Sequence, residues 1–303
     1  MWQGIEMLFQ HPSVNVKYIL DGLFFGSIFA LAAYGLALVW GVMNLKNLAQ
    51  GDLVILGGYF TWYFQSALGW NPILTLPIVM FIMFFFGWAM YALVVKWVID
   101  KDLFTSLLAT FGLALVIQQF INLVFGPETQ TAVSELGKIK FYLFGGRIVV
   151  PEIRVVGVLL CAAVAVALIV FMKRSRTGQA IRATAQDARA AKVMGINTDR
   201  VYALTFSINS AICGAAGALV AMMFLVQPFY GITYSIRSFV IVTAAGLGNL
   251  PGVITAAFGL GVLEGYANNI LGASYQQFIV VFALVVVLVW RMIRLRKARM
   301  VLE

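Results

Sequence analysis

Gly41-Val42-Met43-Asn44-Leu45-Lys46-Asn47-Leu48-Ala49-Gln50-Gly51-Asp52 separates two long apolar runs, residues 16–42 and 53–68. A helix needs about 20 apolar residues to cross a bilayer core. Backbone that leaves the helix inside lipid survives only where protein or a water-filled cavity satisfies its polar groups. This break carries Asn44, Asn47, Gln50 and Asp52, more polarity than an interfacial turn requires, and Gly57 and Gly58 follow it. It reads as a Gly-broken or re-entrant helix beside a pathway through a membrane.

Outward from this stretch, apolar runs recur at residues 73–99, 103–125, 155–172, 201–226, 236–245, 253–271 and 278–293. Trp40, Trp70, Trp97 and Trp290 stand at run ends, where interface anchors belong. Short alternating segments, the mark of a barrel, do not occur. Of 303 residues, 62% are hydrophobic and 11% charged, with a mean hydropathy of +0.94. Soluble domains carry about 45–50% apolar and about 25% charged residues. A soluble enzyme, a disordered chain and a nucleic-acid binder are therefore excluded as readings. The expected fold class is an all-α integral membrane protein. It is a polytopic helical bundle of about 8–9 membrane segments forming one domain over residues 1–303, with Gly-broken or re-entrant helices in both halves.

The second half has its own interruption, Gly246-Leu247-Gly248-Asn249-Leu250-Pro251-Gly252, followed by Gly259, Gly261 and Gly265. Paired Gly/Pro interruptions in two halves point to a transport pathway near the midplane. The candidate pathway residues are Asn44, Asn47, Gln50, Gly51, Asp52, Gly57, Gly248, Asn249 and Glu264. Glu264 lies deep in an apolar run, where a carboxylate is costly. It can neutralise itself, pair with a basic group such as Arg237, or line a pathway; a structural hydrogen-bonding role is favoured. Gly22 with Gly26, and Gly261 with Gly265, are small residues at four-residue spacing. Such pairs let helices approach closely, within the chain or at a dimer seam.

The net charge is +9. Residues 173–200 hold seven basic residues against Asp187 and Asp199, and residues 291–299 hold five with no acid. Basic loops mark the cytoplasmic side, and neither stretch interleaves the aromatics of a nucleic-acid surface. Residues 126–154 then lie outside, residues 100–102 inside and the N-terminus outside. Residues 236–271 start and finish outside, as two short spans or a re-entrant hairpin. The external loop is a solvated cap or a docking surface. Cys161 and Cys213 sit in apolar runs and read as buried thiols. The only histidine, His11, has nothing near it for a metal site or a catalytic apparatus, so no catalytic or metal residues are expected. No cleavable signal peptide is apparent, and the first run reads as an anchor.

Residues 177–197 are Ala-rich, favour a helix and end at a break containing Gly195. A short, exposed, semi-apolar helix suits docking into another protein's groove. The chain has no GxxxxGK[ST] stretch, so any ATP that drives it is hydrolysed on a separate polypeptide.

Three ordered stretches resemble the permease subunits of branched-chain amino acid ABC importers, the LivH type, and relatives for urea and other small amides or acids. They are Asp21-Gly22 through Gly26-Ser27, continuing to the 41–52 break and Gly57-Gly58-Tyr59; Thr177-Gly178 through Gly195-Ile196-Asn197; and Gly246 through Gly265. Arg189-Ala190-Ala191, three residues, then Gly195 resembles the EAA-x₃-G pattern, with Arg189 in place of the leading Glu and the I-x-L-P continuation absent. The basic C-terminal tail also departs from the family's Arg-Pro-rich ending.

The resemblance implies an ABC importer permease fold in the cell inner membrane, with residues 173–200 as cytoplasmic coupling loop. Its coupling residues are Arg182, Asp187, Arg189, Ala190, Ala191, Gly195, Ile196 and Asn197. It implies two cytoplasmic ATPase subunits that hold ATP and Mg, no cofactor on this chain, a second homologous permease or a second copy, and an extracytoplasmic solute-binding protein. The implied solute is a branched-chain amino acid, with urea, short amides or small carboxylates as the alternative. An ion-coupled secondary transporter, with Asp21, Asp52 and Glu264 as coupling groups, is the competing class.

Overall fold

A computed structural model describes residues 12–132, 140–143, 148–246 and 248–300. Helices α1 (Pro12–Met43), α2 (Gln50–Leu68), α3 (Pro72–Val98) and α4 (Leu103–Phe125) make the first half. A β-hairpin, β1 (Lys140–Leu143) and β2 (Ile148–Pro151), leads into α5 (Glu152–Arg174). Two short helices, α6 (Arg176–Gln186) and α7 (Ala188–Val193), follow. Then come α8 (Thr198–Met223), α9 (Gly231–Ala245), α10 (Leu250–Leu271) and α11 (Gln276–Met300). The hairpin modifies the all-α expectation only in the loop outside the bundle.

Six helices are long and apolar enough to span a membrane, namely α1, α3, α4, α5, α8 and α10, with the apolar segments Gly231–Ala245 and Gln276–Trp290 shorter. Their ends follow local chemistry. Asn71, Asp102, Ser175, Asn197 and Asn249 each accept a first-turn backbone N–H, a bond those orphan donors need. Pro72 fits the first position of α3, where no N–H is missed. In α1 and α8 the most apolar windows are 89% buried, against 28% in α4 and α5. The first two form the bundle's centre, and the others turn an apolar face to lipid.

The two halves make matching sets of contacts. Helix α1 packs on α10, and α8 packs correspondingly on α3. The pairs α1/α8 and α2/α9 meet across the middle. In the first half α2 touches α3 and α4; in the second, α9 touches α10 and α11. Helix α5 and the α6–α7 pair connect the halves.

The GxxxG pairs pack within the chain and on each other. A Cβ at Gly22 or Gly26 would collide with the α10 backbone at Gly261, Val262 and Phe258, and one at Gly261 with the α1 backbone. Gly265 faces Gly22 and Tyr18.

Asp21 pairs with Arg154 at one end of the bundle. Gly41, Lys173, Arg182 and Gly248 surround one cavity of about 360 Å³ at the other. The turn between α9 and α10 therefore lies at the basic end. Residues 236–271 belong to two helices joined at that end, the first beginning at Gly231 and shorter than a span.

Candidate functional site

Helix α2 does not begin where α1 ends. Gln50, its first residue, is buried, and its Nε2 donates to the Ala32 carbonyl at 2.7 Å. Ala32 precedes Met43 by eleven residues, about 16 Å of helix. Residues 44–49 thus return into the bundle as irregular chain, and α2 starts half-way along α1. The same Nε2 lies 3.0 Å from Asn209 Oδ1 in the middle of α8.

Protein groups satisfy this chain, as lipid requires. Leu48 N–H donates to Thr110 Oγ1 at 3.3 Å, and that hydroxyl donates to the Lys46 carbonyl. Asn47 accepts from Ala49 N–H and donates to Gln50 Oε1. Ser235 Oγ accepts from Gly51 N–H at 2.8 Å and donates to the Leu48 carbonyl at 2.9 Å.

Ser235 belongs to α9, whose start matches that of α2. Val226 bridges Gln130 beyond the end of α8, and the chain then turns back to Gly231. Gly51 abuts the Gly231 carbonyl, and Gly231 abuts Asp52. A Cβ at either glycine would overlap those atoms, so the sequence Gly51-Asp52 facing Gly231 is what lets the two first turns lie side by side.

The true counterpart of the 41–52 break is therefore residues 224–230. The 246–252 stretch is a turn at the basic end. Sequence reading missed this because Phe224-Leu225-Val226 prolongs an apolar run. The available signal was Gln227-Pro228, where proline removes a helical donor, followed by Gly231.

The predicted pathway residues separate accordingly. Asn47, Gln50, Gly51 and Asp52 converge at the junction. Asn44 sits at the end of α1 with φ +52°. Gly57 packs on Gly214, a contact between helices α2 and α8. Gly248 and Asn249 lie in the α9–α10 turn, Asn249 accepting from Gly252 N–H.

Glu264 is paired. Arg237 Nε and Nη2 donate to its two carboxylate oxygens at 2.8 and 3.0 Å. Gln276 Nε2 adds a donor at 2.6 Å, and the guanidinium lies 5.0 Å from the Phe29 ring centre. Beside this pair a cavity of about 550 Å³ opens, lined by Phe25, Tyr230, Tyr234, Asn268 and Gln276 among others.

Asp52 is as buried as Glu264, at 1% exposure each. Among the described residues Gln118 Nε2 is the one other side chain that donates to it, at 2.9 Å, and no basic side chain there forms an ion pair with it. It lines a cavity of about 260 Å³ walled by Leu48, Phe111, Ile232, Ile236 and Phe239. Gln118 and Ser235 were not singled out by sequence reading. An amide inside the apolar run of α4 was the signal for the first.

The predicted coupling residues lie at the basic end on two helices where one was expected. Asp187 breaks the segment, accepting from Arg189 N–H at 2.8 Å and Ala190 N–H at 3.0 Å. The Ala190 and Arg189 backbone donors hold its carboxyl below the usual carboxylate range. Ile181 and Ala191 are buried, while Arg182, Arg189 and Ala190 are exposed. Gly195 takes φ +85°, Ile196 N–H bonds the Ala191 carbonyl, and Asn197 caps α8. Val193 and Met194, unremarked in the sequence, are 86% and 82% exposed at the tip. Cys161 and Cys213 are buried and unbridged. His11 and much of the external loop lie outside the described residues, as do the side chains of most of the basic tail.

A family model described as "Branched-chain amino acid transport system / permease component" matches residues 18–289. The chain is 27% identical over 290 residues to the high-affinity branched-chain amino acid transport system permease protein LivH of Escherichia coli (strain K12), covering 89% of this chain and 91% of that one. It is 25% identical over 289 residues to the corresponding protein BraD of Pseudomonas aeruginosa, covering 91% and 94%. Among solved structures, PsaBC from Streptococcus pneumoniae in complex with Fab aligns over 94% of both chains at 12% identity, with a TM-score of 0.49.

Proposed function

Because the chain belongs to the branched-chain amino acid transport system permease family, we propose that it forms the membrane pathway of an ATP-driven importer for branched-chain amino acids. It is a transporter subunit, not an enzyme. The observation that carries the mechanism is the junction of α2 and α9, two helices that begin inside the bundle from opposite sides. Helices broken in corresponding positions of inverted repeats recur where transporters bind solute. A bundle built this way has two packings, and partners that bind one better than the other shift it between them.

In this reading residues 1–303 form one domain of nine apolar helices in the inner membrane, including the two that start half-way. The loop at 126–154 faces an extracytoplasmic binding protein that hands over the solute. The α6–α7 element, with Val193 and Met194 at its tip, sits in a groove of a cytoplasmic ATPase. ATP and Mg stay on two such ATPases, and a second permease, homologous or identical, completes the membrane part. Asn47, Gln50, Gly51 and Asp52 line or support the pathway; Arg182, Asp187, Arg189, Ala190, Ala191, Gly195, Ile196 and Asn197 shape the coupling element.

The test is L-leucine uptake into proteoliposomes holding the complete assembly. Uptake should require ATP and the binding protein. The chain reconstituted alone should move nothing, and ion-gradient-driven uptake by it alone would overturn the proposal in favour of a secondary transporter.

A further inference from the structure

The cavity beside Asp52 has three features that no packing role explains together. Asp52 is buried, negatively charged when ionised, and without an ion-pair partner among the described residues. Its counterpart in cost, Glu264, is neutralised by Arg237. An ionisable group inside a membrane normally has such a partner, or marks a pathway.

Second, α9 begins beside the cavity without a side-chain cap, Ile232 lining it and Gly231 packing on Asp52. Tyr230 offers no side-chain cap, and the N–H groups of Gly231 and Ile232 have no acceptor among the described residues. The first free donors of a helix carry partial positive charge and attract anions. Gly231 packs directly against Asp52, so negative and positive elements adjoin.

Third, the rest of the wall is apolar, Leu48, Phe111, Ala114, Ile232, Ile236 and Phe239, apart from Ser235, whose hydroxyl is already engaged by Gly51 N–H and the Leu48 carbonyl.

From this juxtaposition we propose that the cavity binds a zwitterionic aliphatic α-amino acid in transit. The Asp52 carboxylate takes the α-ammonium group, the Gly231 and Ile232 N–H groups take the α-carboxylate, and the apolar wall takes the side chain. Gln118 holds the Asp52 carboxylate in place through its 2.9 Å hydrogen bond. Glycine-like solutes would leave the wall unfilled, and solutes lacking either charge would leave a buried polar group unpaired, which is costly. The inference rests on the importer reading and deepens it: the permease itself, and not only a binding protein, checks the solute.

The experiment uses the complete assembly carrying Ile236→Cys, since the chain's own cysteines are buried. The rate of labelling by a thiol reagent is followed with L-leucine, with 4-methylpentanoate (no ammonium) and with isopentylamine (no carboxylate). Leucine should slow labelling at least threefold, and the two analogues should not. Adding Asp52→Asn should abolish the protection. No protection by leucine, or equal protection by either analogue, overturns the proposal. In parallel, Asp52→Asn alone should lower leucine uptake at least tenfold while stimulation of ATP hydrolysis by loaded binding protein stays within twofold, and Asp52→Glu should recover part of the uptake. If Asp52→Asn fails to assemble, Ile232→Trp, which fills the cavity from its open side, takes its place; unchanged uptake with the cavity filled overturns the proposal. A wild-type assembly that moves no amino acid would instead sink the importer reading.

Discussion

Asp52 and Glu264 are two equally buried carboxylates in opposite halves of the chain, and they are handled differently. Glu264 has a bidentate guanidinium and an amide. Asp52 has one amide and an open cavity. A fully satisfied buried pair holds elements in register, here α9, α10 and the start of α11. A buried carboxylate that lacks a cation has capacity left for a ligand. The difference separates a scaffold from a site, although in sequence both are single acids in apolar surroundings.

The largest effect should come from breaking the scaffold. Glu264→Gln removes the charge that compensates Arg237. Orphaning one member of a buried ion pair costs about 3–5 kcal/mol. Thermal unfolding in detergent should show that loss, and replacing both residues by apolar ones of similar volume should recover most of it. A single Glu264→Gln variant as stable as wild type would remove the distinction drawn here.

Next is the glycine contact at the junction. Gly231→Ala adds a methyl group where Asp52 already sits. Overpacking of this kind costs typically about 1–3 kcal/mol. Leucine uptake should fall more than stability, because the first turns of α2 and α9 are pushed apart at the cavity. Gly259→Ala, on α10 with nothing near its Cβ, should change neither and serves as the control.

Asp52→Asn should cost less stability than either. Asparagine keeps an oxygen for Gln118, so the change should stay within about 1 kcal/mol. If Asp52→Asn instead destabilised as much as Glu264→Gln, Asp52 would belong to the scaffold.

How much of this was readable beforehand follows from what lipid does to sequence. The spans, the 41–52 break, the GxxxG contacts and the basic end are written in hydropathy and charge, because lipid punishes every exception. Arg237 was nameable as a partner for Glu264 because each is an exception in an apolar run. The break at 224–230 was hidden, because Phe224, Leu225, Val226, Phe229 and Tyr230 are apolar whether or not they are helical. Gln118 and Ser235 were hidden for another reason. Their importance lies in what faces them across the bundle, Asp52 and Gly51, and no spacing within one helix reports that. Asp187, likewise, was readable as one of the loop's coupling residues, but its place as the cap that divides α6 from α7 is set by backbone geometry.

Asp187 extends the comparison to a third carboxylate, one in water. It bonds the N–H groups of Arg189 and Ala190 and caps the start of α7, where α6 ends. Those donors hold its folded pKa below the ordinary carboxylate value of about 3.9. A depressed acid contributes stability above its unfolded pKa and loses it as pH falls through the folded pKa. The cap is thus fully formed at neutral pH, and the helical break should be insensitive to pH between about 5 and 8. Asparagine caps nearly as well as aspartate, and alanine does not. Asp187→Asn should therefore leave the ratio of leucine moved to ATP hydrolysed unchanged, while Asp187→Ala should lower that ratio severalfold with the bundle's unfolding temperature unaltered. If Asp187→Asn lowered the ratio as much as Asp187→Ala, the charge itself would be read by the partner ATPase and the cap would not be its role. In Asp187 the carboxylate's bonds are all to its own segment, in Glu264 they are all to other helices, and in Asp52 they are incomplete; only the last leaves carboxylate capacity unmet beside a cavity.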